Sequence, residues 1–244
     1  MIRIENLSKK YGTKEAVKGI SLEVKEGEML ALLGVNGAGK TTTIKMLSCL
    51  TKPTGGKAEI GGYDVVKDTD KVKRLIGVST QDTAIAKNLT VEENLQFMAD
   101  IYMDHNEFSK KDRQEHVQEV LKNFKLDEIR TTRSSKLSGG WQRRLSIAMA
   151  IIGNPKVLFL DEPTLGLDVL ARRELWKEIE RLKKDKTIIL TTHYMEEAEA
   201  LADRIAIMID GRIVMMGDLA SLEARTGQKG LENVFISVAE GGLQ

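Results

Sequence analysis

Apolar and polar residues alternate with a period of two at Ile2 and Ile4 and again across ISLEV (20–24), and a solid apolar run follows at MLALLG (29–34). This pattern predicts three strands, with Gly27 among charged residues marking a turn. KAEIGGYDV (57–65), after PTGG, predicts a further strand pair, and LIGVS (75–79) predicts a buried strand leading to Gln81. From Thr90 to about Ile152 the period lengthens to that of a helix. Thr90 with Glu93, and Ser109 with Asp112, have the spacing of capping boxes opening two helices. A third apolar run (Leu145, Ile147, Ala148, Ile151, Ile152) starts just after Gly139 and Gly140 and stops near Asn154-Pro155. Strand character returns at VLFL (157–160), TIILTT (187–192) and RIAIMID (204–210). Between the first two lies a helix over 168–184, with Leu175, Ile179 and Leu182 on one face. Asp210-Gly211, between two apolar runs, signals a hairpin. The pattern predicts an α/β sheet domain with an antiparallel side sheet at its N-terminal end, interrupted at about 85–154 by an all-helical insert.

Composition narrows the functional classes. The 244 residues carry 37 basic and 36 acidic side chains, so nothing electrostatic points to a nucleic-acid partner. A single cysteine, Cys49, excludes an intramolecular disulfide framework and fits a reducing compartment. The first residues carry no apolar signal stretch, and the longest apolar runs fall short of a membrane helix, so a soluble, cytoplasmic protein is expected. No His/Cys cluster has zinc-ligand spacing. Cys49 and Trp176 read as packing residues, and His105 and His116 as surface histidines.

The chemistry begins at GVNGAGKTTT (34–43), between the strand MLALL and a helical run. It fits G-x-x-x-x-G-K-[ST] in the strand–loop–helix context the motif needs. Glycines let successive backbone N–H groups turn inward as an anion nest, and the following helix N-terminus adds positive potential. Lys40 offers a point charge to the β- and γ-phosphates, and the Thr41 hydroxyl suits Mg²⁺. VLFLDEPT (157–164) places Asp161 at the carboxyl end of an apolar strand, where it can hold Mg²⁺. Glu162, one residue on, is placed to polarise an attacking water. Alone, either stretch could be a Gly-rich turn or a solvated strand end. Together they point to a nucleoside triphosphatase.

With LSGGW (137–141) between these motifs, the chain resembles the nucleotide-binding domain of ATP-binding cassette (ABC) transporters over essentially its whole length. The resemblance implies a P-loop NTPase core of RecA type with an antiparallel β side sheet and a helical insert. It divides the chain into a core (1–84 and 155–225), a helical signature subdomain (85–154) and a C-terminal extension (226–244). It implies that Tyr11 stacks on adenine and that Gly34, Asn36, Gly37, Ala38, Gly39, Lys40, Thr41 and Thr42 cradle the phosphates of ATP. Gln81 then contacts Mg²⁺ and links core to insert, Asp168 lies in a dimer-contact loop with Gly166 and Leu167, and His193 contacts the γ-phosphate. Ser138, Gly139 and Gly140 serve the partner's ATP in a head-to-tail, ATP-dependent homodimer. The catalytic set is therefore Glu162, His193 and Lys40, and the metal set Thr41, Gln81 and Asp161. A separate transmembrane permease is the implied partner and the only membrane contact, placing the chain on the cytoplasmic face of the cell membrane.

Trp141 stands where the common signature has Gln and is followed by Gln142-Arg143-Arg144; with the ending LENVFISVAEG (231–241), this resembles the exporter-type branch. Val35, Thr80 and Val169 stand where Pro is frequent in the family. The segment 82–98, with Ile85 and Leu89 expected to be exposed and Phe97 and Met98 beyond, is expected to form part of the groove receiving a permease helix. Two other readings remain open: a soluble ABC-type ATPase of DNA repair or translation, and a non-hydrolysing module that dimerises on ATP.

Overall fold

The computed structural model describes residues 1–103 and 107–241; His105 lies outside the described residues. Strands β1 (Ile2–Tyr11), β2 (Lys14–Val24), β4 (Gly55–Ile60) and β5 (Tyr63–Asp64) form the antiparallel side sheet, in the order β2-β1-β4-β5. The main sheet is built from β3 (Met29–Leu33), β6 (Ile76–Ser79), β7 (Val157–Asp161), β8 (Thr187–Thr192), β9 (Arg204–Ile209) and β10 (Arg212–Gly217), in the order β10-β9-β3-β8-β7-β6. Strands β9-β3-β8-β7-β6 are parallel. Strand β10 returns antiparallel through Asp210-Gly211, whose φ angles of 47° and 77° suit a two-residue hairpin turn.

Both faces of the main sheet are buried along β3, β7 and β8, which is why these strands read as unbroken apolar runs rather than alternations. Met29, Ala31 and Leu33 face one core, shared with the helical insert and the C-terminal helices. Leu30 and Leu32 face the other, formed with the side sheet and with Ile44, Met46 and Leu47 of helix α1 (Lys40–Leu47).

The insert carries α3 (Val91–Tyr102), α4 (Lys110–Asn123) and α5 (Gly139–Ile151). Both expected capping boxes are made, at Thr90 with Glu93 and at Ser109 with Asp112. Helix α6 (Val169–Leu182) occupies the expected 168–184 segment. Four helices have no counterpart in the sequence pattern: α2 (Thr69–Leu75), α7 (Met195–Leu201), α8 (Leu219–Thr226) and α9 (Leu231–Ala239). The first two are seven residues long, too short for a 3.6-residue period to declare itself. The last contains LENVFISVA and buries Leu231, Val234, Phe235 and Val238.

Parallel pairing decides where the chemistry gathers. Because β3, β6, β7 and β8 run in one direction, their carboxyl ends emerge on one edge, where open α/β sheets bind ligands. Gly34, Gln81, Asp161 and His193 each follow or end one of these strands. Helix α5 lies along β6 through three contacts spaced along one helix face. Gly77 has no room for a Cβ against the Ala150 carbonyl, Ser79 and Ser146 share a buried hydrogen bond of 3.0 Å, and Arg143 reaches the chain just beyond β6.

Candidate active site

The loop after β3 turns on glycine. Gly37 and Gly39 have φ angles of 85° and 106°, the left-handed region that L side chains avoid, and a Cβ on Gly39 would meet the Ala16 carbonyl at 2.6 Å. Gly34 presses on the Met208 carbonyl and likewise has no room for a side chain. The loop delivers Lys40 and Thr41 to the first turn of α1, where they meet the end of β7.

Lys40 is only 4% exposed, and its ammonium is held by two backbone carbonyls and one carboxylate. Nζ donates to Gly34 O (2.8 Å) and Val35 O (3.2 Å), and lies 3.2 Å from Glu162 Oε1. Asp161 is 2% exposed and its Oδ1 accepts from Thr41 Oγ1 at 3.0 Å and from Thr191 Oγ1 at 2.5 Å. Glu162 is 4% exposed and joins Lys40 on one side to His193 on the other, with His193 Nδ1 2.7 Å from Oε2. These adjacent carboxylates face different partners because Glu162 leaves the strand at φ 50°, an unusual angle for a side-chain-bearing residue. Its N–H is held by Thr191, through O at 3.1 Å and Oγ1 at 3.0 Å. Thr191 was not visible in the motif pattern; only the parallel register pairing Asp161 with Thr191 brings it here.

The structure therefore brings Lys40, Thr41, Asp161, Glu162 and His193 into one hydrogen-bonded cluster. A buried carboxylate bonded to a threonine hydroxyl is a hard-oxygen set that fits Mg²⁺ beside a phosphate loop. Behind it, the fully buried Glu197 accepts from Thr164 Oγ1 (2.8 Å) and Trp176 Nε1 (3.0 Å), and burial pushes its carboxyl pKa up. Trp176 thus packs, as expected, but also satisfies this buried acid. His116, expected on the surface, is partly covered and bonds through Nε2 to Ile152 O at 3.0 Å. Cys49 is half-buried against the side-sheet core.

Other sequence candidates stand apart from the cluster. Tyr11 ends β1 at 48% exposure, with Lys9 Nζ 5.0 Å from its ring centroid. The Gln81 side chain is exposed, while its backbone carbonyl is gripped by Arg143. Asn36 and Gly37 are exposed at the loop tip. The Asp168 carboxylate caps α6, accepting from the N–H groups of Leu170 and Ala171 at 3.0 Å each.

The paired glycines of the signature now have a physical setting. Ser138 is the N-cap of α5, yet its side chain makes no capping bond. A Cβ on Gly139 would meet open space, and one on Gly140 would come no nearer than 3.6 Å to Leu167. Packing within the chain therefore gives no reason for glycine here. The exposed N-terminus of α5 presents uncapped amides, a ready anion site. Behind it, the Arg144 guanidinium stacks on Trp141 (4.7 Å) and pairs across to α6 with Glu174 (3.1 Å) and Glu178 (3.4 Å). Burial drives the Glu178 carboxyl up to about 7 against the pull of Arg144.

The groove expected over 82–98 is met only at its end. Ile85 and Leu89 are half-buried, Ile85 packing on the main core, so neither is the exposed residue expected. The open cleft between core and insert, of ≈ 830 Å³, is lined by Met98 of that segment and otherwise by Leu50, Thr80, Ile101, Tyr102 and Phe108, among others. Alternation in a short loop could not reveal that Ile85 turns inward, its neighbour Ala86 being tied to Asn94. None of the described helices is long and apolar enough to cross a membrane.

A glycine-rich phosphate loop feeding a helix, with buried carboxylates on the carboxyl edge of a parallel sheet, defines a P-loop NTPase. The antiparallel side sheet and the helical insert with its LSGG helix start make it an ATPase cassette. The chain belongs to the ABC transporter family, whose profile matches residues 17–165. It is 40% identical over 229 residues to the linearmycin resistance ATP-binding protein LnrL of Bacillus subtilis, covering 93% of this chain and 72% of that protein. It is 42% identical over 230 residues to the human phospholipid-transporting ATPase ABCA3, covering 93% of this chain but only 13% of that protein. It also superposes on the dimeric structure of the ATP-binding cassette MJ0796 bound to ADP and Pi in a post-hydrolysis state, with TM-score 0.81 and 29% identity, covering 90% of this chain and 99% of that one.

Proposed function

We propose that this chain is the ATP-hydrolysing subunit of an ABC transporter, which dimerises head to tail on ATP and powers a separate membrane permease, in the direction of export. The chain of contacts from buried Lys40 and Glu162 to the partly exposed His193, beside Thr41–Asp161, carries the hydrolytic part of the reading. In this reading 1–84 and 155–225 form the ATP-binding core, 85–154 the signature subdomain, and 226–244 an extension. Thr41, Asp161 and Gln81 would hold Mg²⁺, which when bound neutralises phosphate charge.

Each residue has a task set by its surroundings. Tyr11 offers a ring face to adenine. The backbone of the loop from Gly34 to Thr42 cradles the phosphates. The Lys40 ammonium transfers its donors from the carbonyls of Gly34 and Val35 and from Glu162 to phosphate oxygens. Glu162, released from Lys40, orients water for in-line attack and accepts its proton. His193, anchored through Nδ1 on Glu162, presents its other ring nitrogen to the transferring group.

The signature completes the site in trans. Ser138 and the bare helix start at Gly139 and Gly140 are unused within their own chain, which is what a ligand held by a second copy requires. Asp168, Val169 (62% exposed) and Leu170 (77% exposed) form the flanking contact surface between copies. The transport and resistance functions in the names of ABCA3 and LnrL support export, with the chain on the cytoplasmic face of the membrane.

The cleft at Leu50, Ile101 and Tyr102 is the proposed seat of a permease helix. Cysteines introduced at Leu50 and Ile101, in a chain with Cys49 replaced by Ser, should crosslink to a multi-spanning protein in membranes of the native host. Efficient recovery of the tagged chain with no membrane-protein adduct would overturn the permease assignment and favour a soluble ATPase.

A further inference from the structure

The functional reading gives Arg143 of the WQRR stretch no task, yet its guanidinium is buried against the loop that carries Gln81. Its guanidinium is carried by α5, the helix that starts at the signature, and reaches the loop after β6. Nη1 donates to Thr80 O at 2.7 Å and Nη2 to Gln81 O at 2.5 Å. The residue is 5% exposed, so this two-carbonyl grip replaces its water. Burial lowers the guanidinium pKa, while the carboxylates of Asp161, Asp82, Glu162 and Glu197 hold it up. The cation thus lies in the combined field of the candidate active-site acids.

We propose that Arg143 is a positioning residue that sets where Gln81 stands at the metal by clamping its backbone to the helix that carries Ser138, Gly139 and Gly140. The proposal rests on the functional reading above in taking Gln81 as a metal contact. The geometry supports a rigid linkage. Below the clamp, Ser79 bonds Ser146, and Gly77 lies directly against the Ala150 carbonyl, so β6 and α5 are fastened over three contacts. Beyond the clamp the chain is exposed at Gln81 and Asp82, held locally where Thr80 Oγ1 donates to Asp82 O at 2.7 Å, and returns to the fold where Ile85 packs on the core and Ala86 bonds Asn94. Arg143 is therefore the last fixed point before the Gln81 side chain. Any shift of that loop is passed to α5 about one turn from the N-terminus that carries the signature. A lysine in its place keeps the charge but has one nitrogen where two are needed, and it lacks the planar fork that spans adjacent carbonyls.

The test uses Arg143→Lys, which keeps the buried charge and so the fold, alone and combined with Gln81→Ala. In the protein without nucleotide, backbone ¹⁵N order parameters over residues 81–84 should fall to about 0.6 or lower in Arg143→Lys while those in β6 stay as in wild type. With a non-hydrolysable ATP analogue bound, Mn²⁺ affinity read by electron paramagnetic resonance should fall by about threefold or more. That loss should vanish when Gln81 is already Ala, because the arginine acts only through it. Unchanged order parameters over 81–84, or a Mn²⁺ loss that is the same with Ala at 81, overturns the positioning role and leaves the functional reading standing. Wild-type Mn²⁺ affinity in Gln81→Ala itself overturns the metal role of Gln81, and the proposal with it.

Discussion

Replacing Glu162 by Gln tests the core of the mechanism, because the change is nearly isosteric and removes one charge from a defined chain of contacts. Glu162 lies 3.2 Å from Lys40 Nζ and 2.7 Å from His193 Nδ1. The gross Coulomb attraction to Lys40 is about 5 kcal/mol at an effective dielectric constant of about 20, before the desolvation that offsets much of it. Phosphate must compete with this attraction for the ammonium. Glu162→Gln should therefore bind ATP at least as tightly as wild type, since Lys40 keeps the carbonyls of Gly34 and Val35 and loses only a competitor. Turnover is a different matter. A general base contributes roughly 10²–10⁴ in rate, or about 3–5 kcal/mol of barrier, and an amide cannot supply it. Single-turnover hydrolysis with radiolabelled ATP would read the chemical step, and equilibrium binding of a fluorescent ATP would read affinity. The variant should also elute as an ATP-bound dimer, since release follows hydrolysis. Single-turnover hydrolysis within roughly threefold of wild type would refute the assignment of Glu162 as base. A variant that stays monomeric at saturating ATP would refute ATP as the glue between copies.

Two further outcomes are expected. Ser138→Arg places a long cation at the bare start of α5, where nothing in the same chain contacts it; ATP binding to the single chain should be unchanged while turnover is abolished, and full turnover would rule out signature closure in trans. Glu178, with its folded pKa near 7 against an ordinary 4.5, holds its proton longer in the folded chain than in the unfolded one. Its stabilising contribution is full below pH 4.5 and is lost as pH rises through 7, a total of about 3 kcal/mol. Glu178→Gln should therefore gain stability relative to wild type between pH 5 and pH 8 in thermal melts, and a flat difference would show that Glu178 ionises in the folded chain as it does in water.

Local patterns carried most of the strands, the helix starts and the phosphate loop. A buried parallel strand must be apolar throughout, a capping box must place its acceptor three residues on, and a phosphate loop must have glycine where φ is positive. These are constraints between neighbours in the chain, so they are legible at residues such as Thr90, Ser109, Gly37 and Gly39. The short helices α2 and α7 escaped because one or two turns fix too few positions to show a period. The misjudged exposure of Ile85 has the same origin, since whether a loop side chain points inward depends on what lies above it.

Spatial order decided the rest. That Asp161 meets Thr41 and Thr191, and that Glu162 spans Lys40 and His193, follows from parallel register and from one left-handed φ that Thr191, 29 positions away, holds in place. Arg143 and the carbonyl of Gln81 are 62 positions apart and meet only because α5 lies along β6. Composition and spacing could name the residue types suited to phosphate chemistry, because that suitability belongs to each side chain. Which carboxylate holds which partner depends on distances of about 3 Å between distant segments, and the packing of the tertiary structure sets those distances.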